Sequence, residues 1–180
     1  MEPLVAGRIL ENPVSGERIV IRQSGSETGG ELLVFDLFLP PGGHVPARHV
    51  HPVQEERFMV LEGQMRFRLE GRTILSAAGE SVVVPPGVPH WFGNAGSGVS
   101  HARVEVRPAL RMEDMFEATS AMRHIPGTRL PRPSDLAFVI TEFQRELSVP
   151  RVPARVAKAI LTPLAWMGRR RRVVGRTRDH

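Results

Sequence analysis

Three histidines and one glutamate stand at spacings that can place them around one metal ion: His49, His51, Glu56 and His90. His49 and His51 are two residues apart, so in a strand both imidazoles point to the same face and can reach one ion. Three nitrogens and one oxygen suit Fe, Mn, Ni, Co, Cu or Zn and leave coordination positions open for a substrate or dioxygen. Unrelated surface histidines would give the same composition, so the four residues taken alone leave that alternative open.

The elements that would have to position these side chains are short strands. Residues 1–107 contain short apolar runs separated by glycine and proline clusters. The run at 64–70, QMRFRLE, alternates apolar with polar or charged residues, while ELLVFDLFL at 31–39 is almost continuously apolar. Several short strands divided by turn residues are typical of a sandwich or a closed barrel.

The pattern changes to helical spacing after Pro108. Apolar residues recur every three or four positions in 110–123, and again in 133–147 after a Pro-Ser-Asp start. A third stretch with this spacing covers 153–168. We therefore predict a β-barrel domain that ends at residue 107, followed by a helical extension with a basic tail over 108–180.

The candidate ligands lie within two regular patterns of glycine and proline. The first reads Gly43, five residues, His49-x-His51, four residues, Glu56, six residues and Gly63. The second reads Gly79, five residues, Pro85-x-Gly87, two residues, His90, three residues and Asn94. Both patterns are complete, and in them the chain resembles the cupin family. With its NPVSGERI opening and its helices after the barrel, it is similar to single-domain bacterial cupin-domain proteins with a C-terminal helical extension.

The resemblance implies a mainly β fold, a cupin-type double-stranded β-helix (jelly-roll) barrel with about three C-terminal α-helices. By matched position it implies that His49, His51, Glu56 and His90 hold one divalent transition-metal ion. Glu55 is the alternative acid, although the spacing to the following glycine favours Glu56. No separate catalytic acid or base is assigned.

The resemblance also implies a function at the level of chemistry. A metal site with open positions indicates an enzyme that acts on a small oxygen-bearing organic molecule held in the barrel, and the reaction we expect is that of an oxidoreductase of the oxygenase type. Isomerase-like cupins are a further catalytic class. The alternative is a non-catalytic barrel that binds a small molecule through the metal, or senses it, because one fold hosts many functions.

Composition and charge limit the partners. The net charge of +5 comes from residues 169–180, which carry six arginines and one acid, while the remainder balances at 18 basic and 18 acidic residues. The body of the protein is therefore not a polyanion binder, and we expect no nucleic-acid partner. The absence of cysteine excludes disulfides and thiolate metal sites. No secretory signal is recognisable at the start, so we expect a cytoplasmic location.

Two surfaces of the predicted structure need a partner. The stretch 31–39 is more apolar than one barrel face requires, which predicts a homodimer with barrel strands at the interface. The predicted helix at 153–168 is followed directly by an arginine run at 169–172. We expect this helix to pack on the folded protein, with contact of the basic C-terminus with a membrane surface as the alternative.

Overall fold

The computed structural model describes residues 7–45, 47–128 and 130–149. Its regular elements in these ranges are β1 (Ile9–Glu11), β2 (Arg18–Gln23), a 3-10 helix (Gly25–Thr28), β3 (Leu33–Leu39), β4 (Glu55–Glu62), β5 (Gln64–Leu69), β6 (Arg72–Ala77), β7 (Ser81–Val84), β8 (His90–Asn94), β9 (Ser100–Arg107), α1 (Met112–Ser120) and α2 (Pro133–Glu142). The predicted barrel strands and the first two predicted helices are thus present, and the third predicted helix lies outside the described residues.

The strands form two antiparallel sheets around one apolar interior. The larger sheet has the order β1-β2-β3-β9-β4-β7, and the smaller has the order β6-β5-β8. Both sheets bury alternate residues. In β5, for example, Met65 and Phe67 face the core while Arg66 and Arg68 are exposed, as the alternating sequence predicts. This mainly β, jelly-roll architecture confirms the predicted fold class.

Strand β3 is an interior strand that carries a buried acid on its outer face. Asp36 is 1% exposed, and Arg22 Nη2 and Arg103 Nε lie 2.7 and 3.1 Å from its carboxylate oxygens. Burial alone would raise the pKa of Asp36, but the two arginines hold it below its ordinary value. Because β3 pairs with β2 and β9 on its two sides, the free sheet edges lie elsewhere. The homodimer stays a prediction.

The two helices share the core of the barrel. Buried residues of α1 and of the turn after α2, including Met112, Phe116 and Phe143, belong to the same apolar cluster as the strand residues. The ring of Phe116 packs edge-on against Phe35 of β3, with centroids 5.0 Å apart. The described part of the extension, up to residue 149, therefore packs on the barrel, and the division into two domains stays a prediction. Within the described ranges, no helix has the length and apolar character to cross a membrane.

Helix α2 is shorter than its apolar spacing predicts. The pattern continues to Leu147, yet the helix ends at Glu142 and a turn follows. The chain then runs alongside the first ligand segment, where Ser148 and Val50 exchange two backbone hydrogen bonds of 2.8 Å. The Glu146 and Leu147 N–H groups still donate within the turn, to the Phe143 carbonyl, whereas both backbone groups of Ser148 pair with the barrel.

Candidate metal centre

The structure brings all four predicted ligand residues together inside the barrel. His49 and His51 precede β4, Glu56 lies within it, and His90 begins β8. His49 and His90 exchange two backbone hydrogen bonds of 2.9 Å, which fixes the two motifs side by side. One nitrogen or oxygen atom from each of the four side chains lies within 4.8 Å of the others. All four residues are buried, with exposures of 8, 3, 5 and 0% in chain order.

Each imidazole is oriented by a backbone carbonyl. The pairs are His49 Nδ1 with the Ala47 carbonyl at 3.1 Å, His90 Nδ1 with the Val88 carbonyl at 3.1 Å, and His51 Nδ1 with the Glu146 carbonyl. A carbonyl oxygen only accepts, so each Nδ1 donates a proton and each Nε2 of a neutral ring keeps a free lone pair. Metal-binding histidines are oriented in the same way, with the second ring nitrogen donating to the surrounding protein.

The electrostatics of the cluster keep one imidazole neutral and the carboxyl ionised. Burial, followed by the neighbouring His90 and His51, lowers the pKa of His49 to about 3. Burial would raise the pKa of Glu56, but its contacts with His51 and His90 hold that pKa well below the ordinary value. The distances from Glu56 Oε2 to His51 Nε2 and His90 Nε2 are 3.2 and 3.1 Å. Glu56 in turn raises the pKa of His51, against the effect of burial.

The donor set fits a divalent transition-metal ion. His51 Nε2, His90 Nε2 and Glu56 Oε2 are buried atoms without a hydrogen-bond partner among the described residues. Buried polar atoms rarely stay unsatisfied, and an ion would satisfy all three at once. Three imidazole nitrogens and one carboxylate oxygen suit the ions from Mn²⁺ to Zn²⁺ and leave room for further ligands. The cluster can therefore hold a metal.

Strand alternation decides which of two neighbouring side chains faces the centre, both at Glu55 and Glu56 and at Trp91 and Phe92. Glu56 points into the cluster, whereas its neighbour Glu55 points to the opposite face of β4. In β8, Phe92 faces the barrel interior and lines the cavity beside the cluster. Trp91 points away and donates from Nε1 to the Val45 carbonyl at 3.0 Å. The carboxylate in the centre is thus that of Glu56.

Two glycines of the motifs occupy backbone conformations that favour glycine. Gly63 adopts φ 75°, and a Cβ there would lie 3.1 Å from the Ser100 Cα. Gly87 adopts φ 76°, and its N–H donates to the His51 carbonyl at 2.8 Å. A side chain is strained at these φ values, so glycine permits the turns that join the strands. The loop that leads to His90 is thereby tied directly to the first motif.

A cavity of about 350 Å³ adjoins the cluster. Three cluster residues, His49, His51 and Glu56, form part of its wall. The rest of the wall is mostly apolar and comes from the barrel strands and from the helical extension. A volume of this size lies near the lower end of the roughly 300–1,000 Å³ typical of small-molecule sites. The centre therefore opens onto a space in which a small organic molecule fits.

Sequence reasoning missed two further polar residues of this cavity, Glu17 and Asn12. Both belong to the hairpin between β1 and β2, within the NPVSGERI stretch. The alternation of Glu17, Ile19 and Ile21 into the barrel was the available signal, because both isoleucines are buried core residues. The contribution of the helical extension to the cavity wall could not be predicted locally, because apolar residues on one face of a helix do not show which part of the protein that face packs against.

Comparison with known proteins supports this description. The family model named Cupin domain matches residues 35–104. A predicted oxalate decarboxylase from Thermotoga maritima superposes with a TM-score of 0.52 at 19% identity, over 60% of this chain and 96% of that one. An RmlC-like cupin from Shewanella frigidimarina gives 0.51 at 20% identity, over 59% and 88%. Likeness at this level of identity establishes a common fold.

A third solved structure aligns over a smaller share of its own length. It is a sugar phosphate isomerase of the cupin superfamily from Silicibacter pomeroyi, with 23% identity and a TM-score of 0.47. The alignment covers 53% of this chain and 61% of that protein, so the chain spans less than two thirds of this relative. No protein of curated function matches the sequence.

Proposed function

The chain belongs to the cupin superfamily, and we propose that it binds one divalent transition-metal ion through His49, His51, Glu56 and His90 to act on a small oxygen-bearing organic molecule. The observation that carries this proposal is the buried cluster of four donors beside a cavity of about 350 Å³. An oxygenase-type reaction is the chemistry we favour, because three nitrogens and one oxygen leave coordination positions for both a substrate and dioxygen.

The residues of the chain have distinct parts in this function. The three imidazoles are held by carbonyl groups with Nε2 directed at the centre, and Glu56 supplies the negative charge that offsets part of the charge of the ion. The bound ion would polarise an oxygen of the substrate and, in an oxygenase, activate dioxygen. The apolar wall, including Phe92 and Met115, excludes water from the reacting groups and holds the apolar part of the substrate.

A non-catalytic sensory barrel is the second candidate function. The observation that favours it is the direct contact between the ligand segment and the helical extension, through the His51–Glu146 and Val50–Ser148 hydrogen bonds. Binding of a ligand in the barrel would change the position of the extension through these hydrogen bonds, and that change would alter the contact of the extension with a partner. This candidate requires metal and ligand binding without turnover.

Metal analysis of protein purified without chelator, followed by single-turnover assays, tests the proposal. We expect one ion per chain, binding of nitric oxide to the Fe²⁺ form at an open position, and oxygen consumption with at least one compound from a panel of small hydroxylated and carbonyl compounds. Ligand binding that changes the oligomeric state without turnover would favour the sensory barrel. Protein that takes up none of the six candidate ions would contradict both functions.

A further inference from the structure

The cavity beside the cluster has an unusual balance of polar groups. Apart from the cluster itself, its wall is almost entirely apolar, with Asn12, Glu17 and Thr119 as the polar exceptions. Among the described residues that line it, there is no arginine and no lysine. A phosphate or a second carboxylate on a ligand would therefore enter without a cation to pair with it. The wall selects against anionic groups away from the cluster.

Glu17 is held in place by the hairpin that carries it. The Asn12 side chain accepts a bond from the Val14 N–H at 2.9 Å and donates from Nδ2 to Glu17 Oε1 at 3.0 Å. The Asn12 N–H donates to the Glu17 carbonyl at 2.9 Å, which closes the turn. Glu17 precedes Ile19 on the inward face of β2, so its carboxyl is directed into the cavity by the strand and kept there by Asn12.

The surroundings of Glu17 explain which ligand group it would meet. Burial raises the pKa of Glu17, opposed in part by Asn12 and Ser15, and the charge of Glu56 adds to the rise. The carboxyl is therefore an acceptor without a donor only at a pH above that raised pKa. The carboxyl has no salt bridge with any described residue, so a hydrogen-bond donor on a ligand would satisfy it. An acceptor or an anion at the same place would be repelled by its lone pairs and charge.

We propose that the cavity binds a mostly apolar molecule with an oxygen ligand for the metal at one position and a neutral hydroxyl or N–H donor that Glu17 accepts at another. This inference rests on the proposed function for the metal position only. Glu17 is then a specificity-determining residue that separates hydroxylated apolar compounds from their ether analogues and from dianions.

Three probes of one shape test the assignment: 6-hydroxy-2-naphthoate, 6-methoxy-2-naphthoate and naphthalene-2,6-dicarboxylate. The carboxylate that all three share would bind the metal. The second substituent is a hydrogen-bond donor in the hydroxyl probe, an acceptor only in the methoxy probe and an anion in the dicarboxylate. With full-length zinc-loaded protein, at a pH above the raised pKa of Glu17, naphthalene fluorescence should show the hydroxyl probe binding at least about tenfold more tightly than the methoxy probe, the effect of one hydrogen bond to a charged acceptor. The dicarboxylate should bind more weakly than the hydroxyl probe by a similar or larger factor.

Glu17→Gln keeps an oxygen for Asn12 and replaces the second oxygen with a donor. The affinities for the hydroxyl and methoxy probes should then differ by no more than about twofold, and the affinity for the dicarboxylate should rise. Glu17→Asp, which keeps the charge, should still reject the dicarboxylate. Glu11→Gln removes an exposed carboxylate from the same hairpin and should leave all three affinities unchanged. Retention of the wild-type ratio by Glu17→Gln, tight binding of the dicarboxylate by wild type, or binding of none of the probes would overturn the proposal.

Zinc stoichiometry, measured separately, distinguishes this inference from the proposed function. If no zinc binds, the metal function fails, and the Glu17 assignment is tested on the metal-free protein with 2-naphthol and 2-methoxynaphthalene. The same preference for the hydroxyl compound, and its loss in Glu17→Gln, is expected there. Equal affinities for the two compounds would refute the role of Glu17 independently of the metal.

Discussion

The double substitution His51→Ala/His90→Ala should abolish the stabilisation that metal gives to the fold. It removes two of the four donors, namely the two imidazoles that contact Glu56. A ligand that binds only the folded state stabilises it by about 2.7 kcal/mol when its concentration is 100 times the dissociation constant. For a chain of 180 residues, 1 kcal/mol corresponds to about 2–4 °C in Tm. We therefore expect wild-type Tm to rise by about 5–11 °C between chelator and saturating metal.

The assay compares each protein with itself, with and without metal, because the substitutions also change the metal-free protein. In the double variant we expect no difference in Tm between metal and chelator and less than one bound ion per ten chains by mass spectrometry. The matched control His44→Ala/His124→Ala removes two histidines outside the cluster and should keep the wild-type difference. One ion per chain in the His51/His90 variant, or a wild-type rise in its Tm, would refute the assignment of the site.

Further substitutions test the packing and the charges around the site. Asp36→Asn should cost about 2 kcal/mol in urea unfolding at pH 7, since two partly exposed arginines lose a charged acceptor; because the folded pKa of Asp36 is depressed, this cost should be complete well above pH 3.8 and shrink as the pH falls below it. Phe116→Ala should destabilise the fold by about 3 kcal/mol, because its ring packs against β3 in the shared core. Gln54→Ala should lower the free energy of unfolding by about 2 kcal/mol. The fully buried Gln54 amide donates to the carbonyls of residues 108 and 109, and after its removal no water can reach those carbonyls to take its place. Light scattering at micromolar concentration should return a homodimer, twice the 20.0 kDa chain, because Met59 and Val83 leave apolar surface on the outer face of β4 and β7; a monomeric mass would contradict it.

Local patterns were sufficient to predict the barrel and the cluster. The strand at 64–70 follows its alternation because a period of two assigns each side chain to a face without reference to the rest of the chain. The juxtaposition of His49 and His90 was implied by the resemblance to the cupin family that the two complete motifs carry. The choice of Glu56 over Glu55 likewise followed from spacing, and the structure places Glu56 in the cluster.

Interactions between distant parts of the chain could not be predicted in this way. The contact of His51 with the Glu146 carbonyl joins residues 95 positions apart. The end of α2 depends on the same packing, since its apolar spacing continues beyond the helix. The apolar stretch 31–39 does not show what surrounds Asp36, whereas in the structure Arg22 and Arg103, from two other strands, make it a buried ion-pair site. Periodicity specifies a face, but it does not specify the partner.

The hydrogen bond between His51 and Glu146 has a thermodynamic consequence for the whole protein. Any ion that binds through His51 favours the conformation in which the segment after α2 is docked, and docking of that segment favours the orientation of His51 that binds the ion. The two equilibria share one coupling free energy, so each must change the other by the same factor. A partner that binds the segment after α2 only when it is separated from the barrel would therefore lower the affinity for the ion. The ion would lower the affinity for that partner by the same factor.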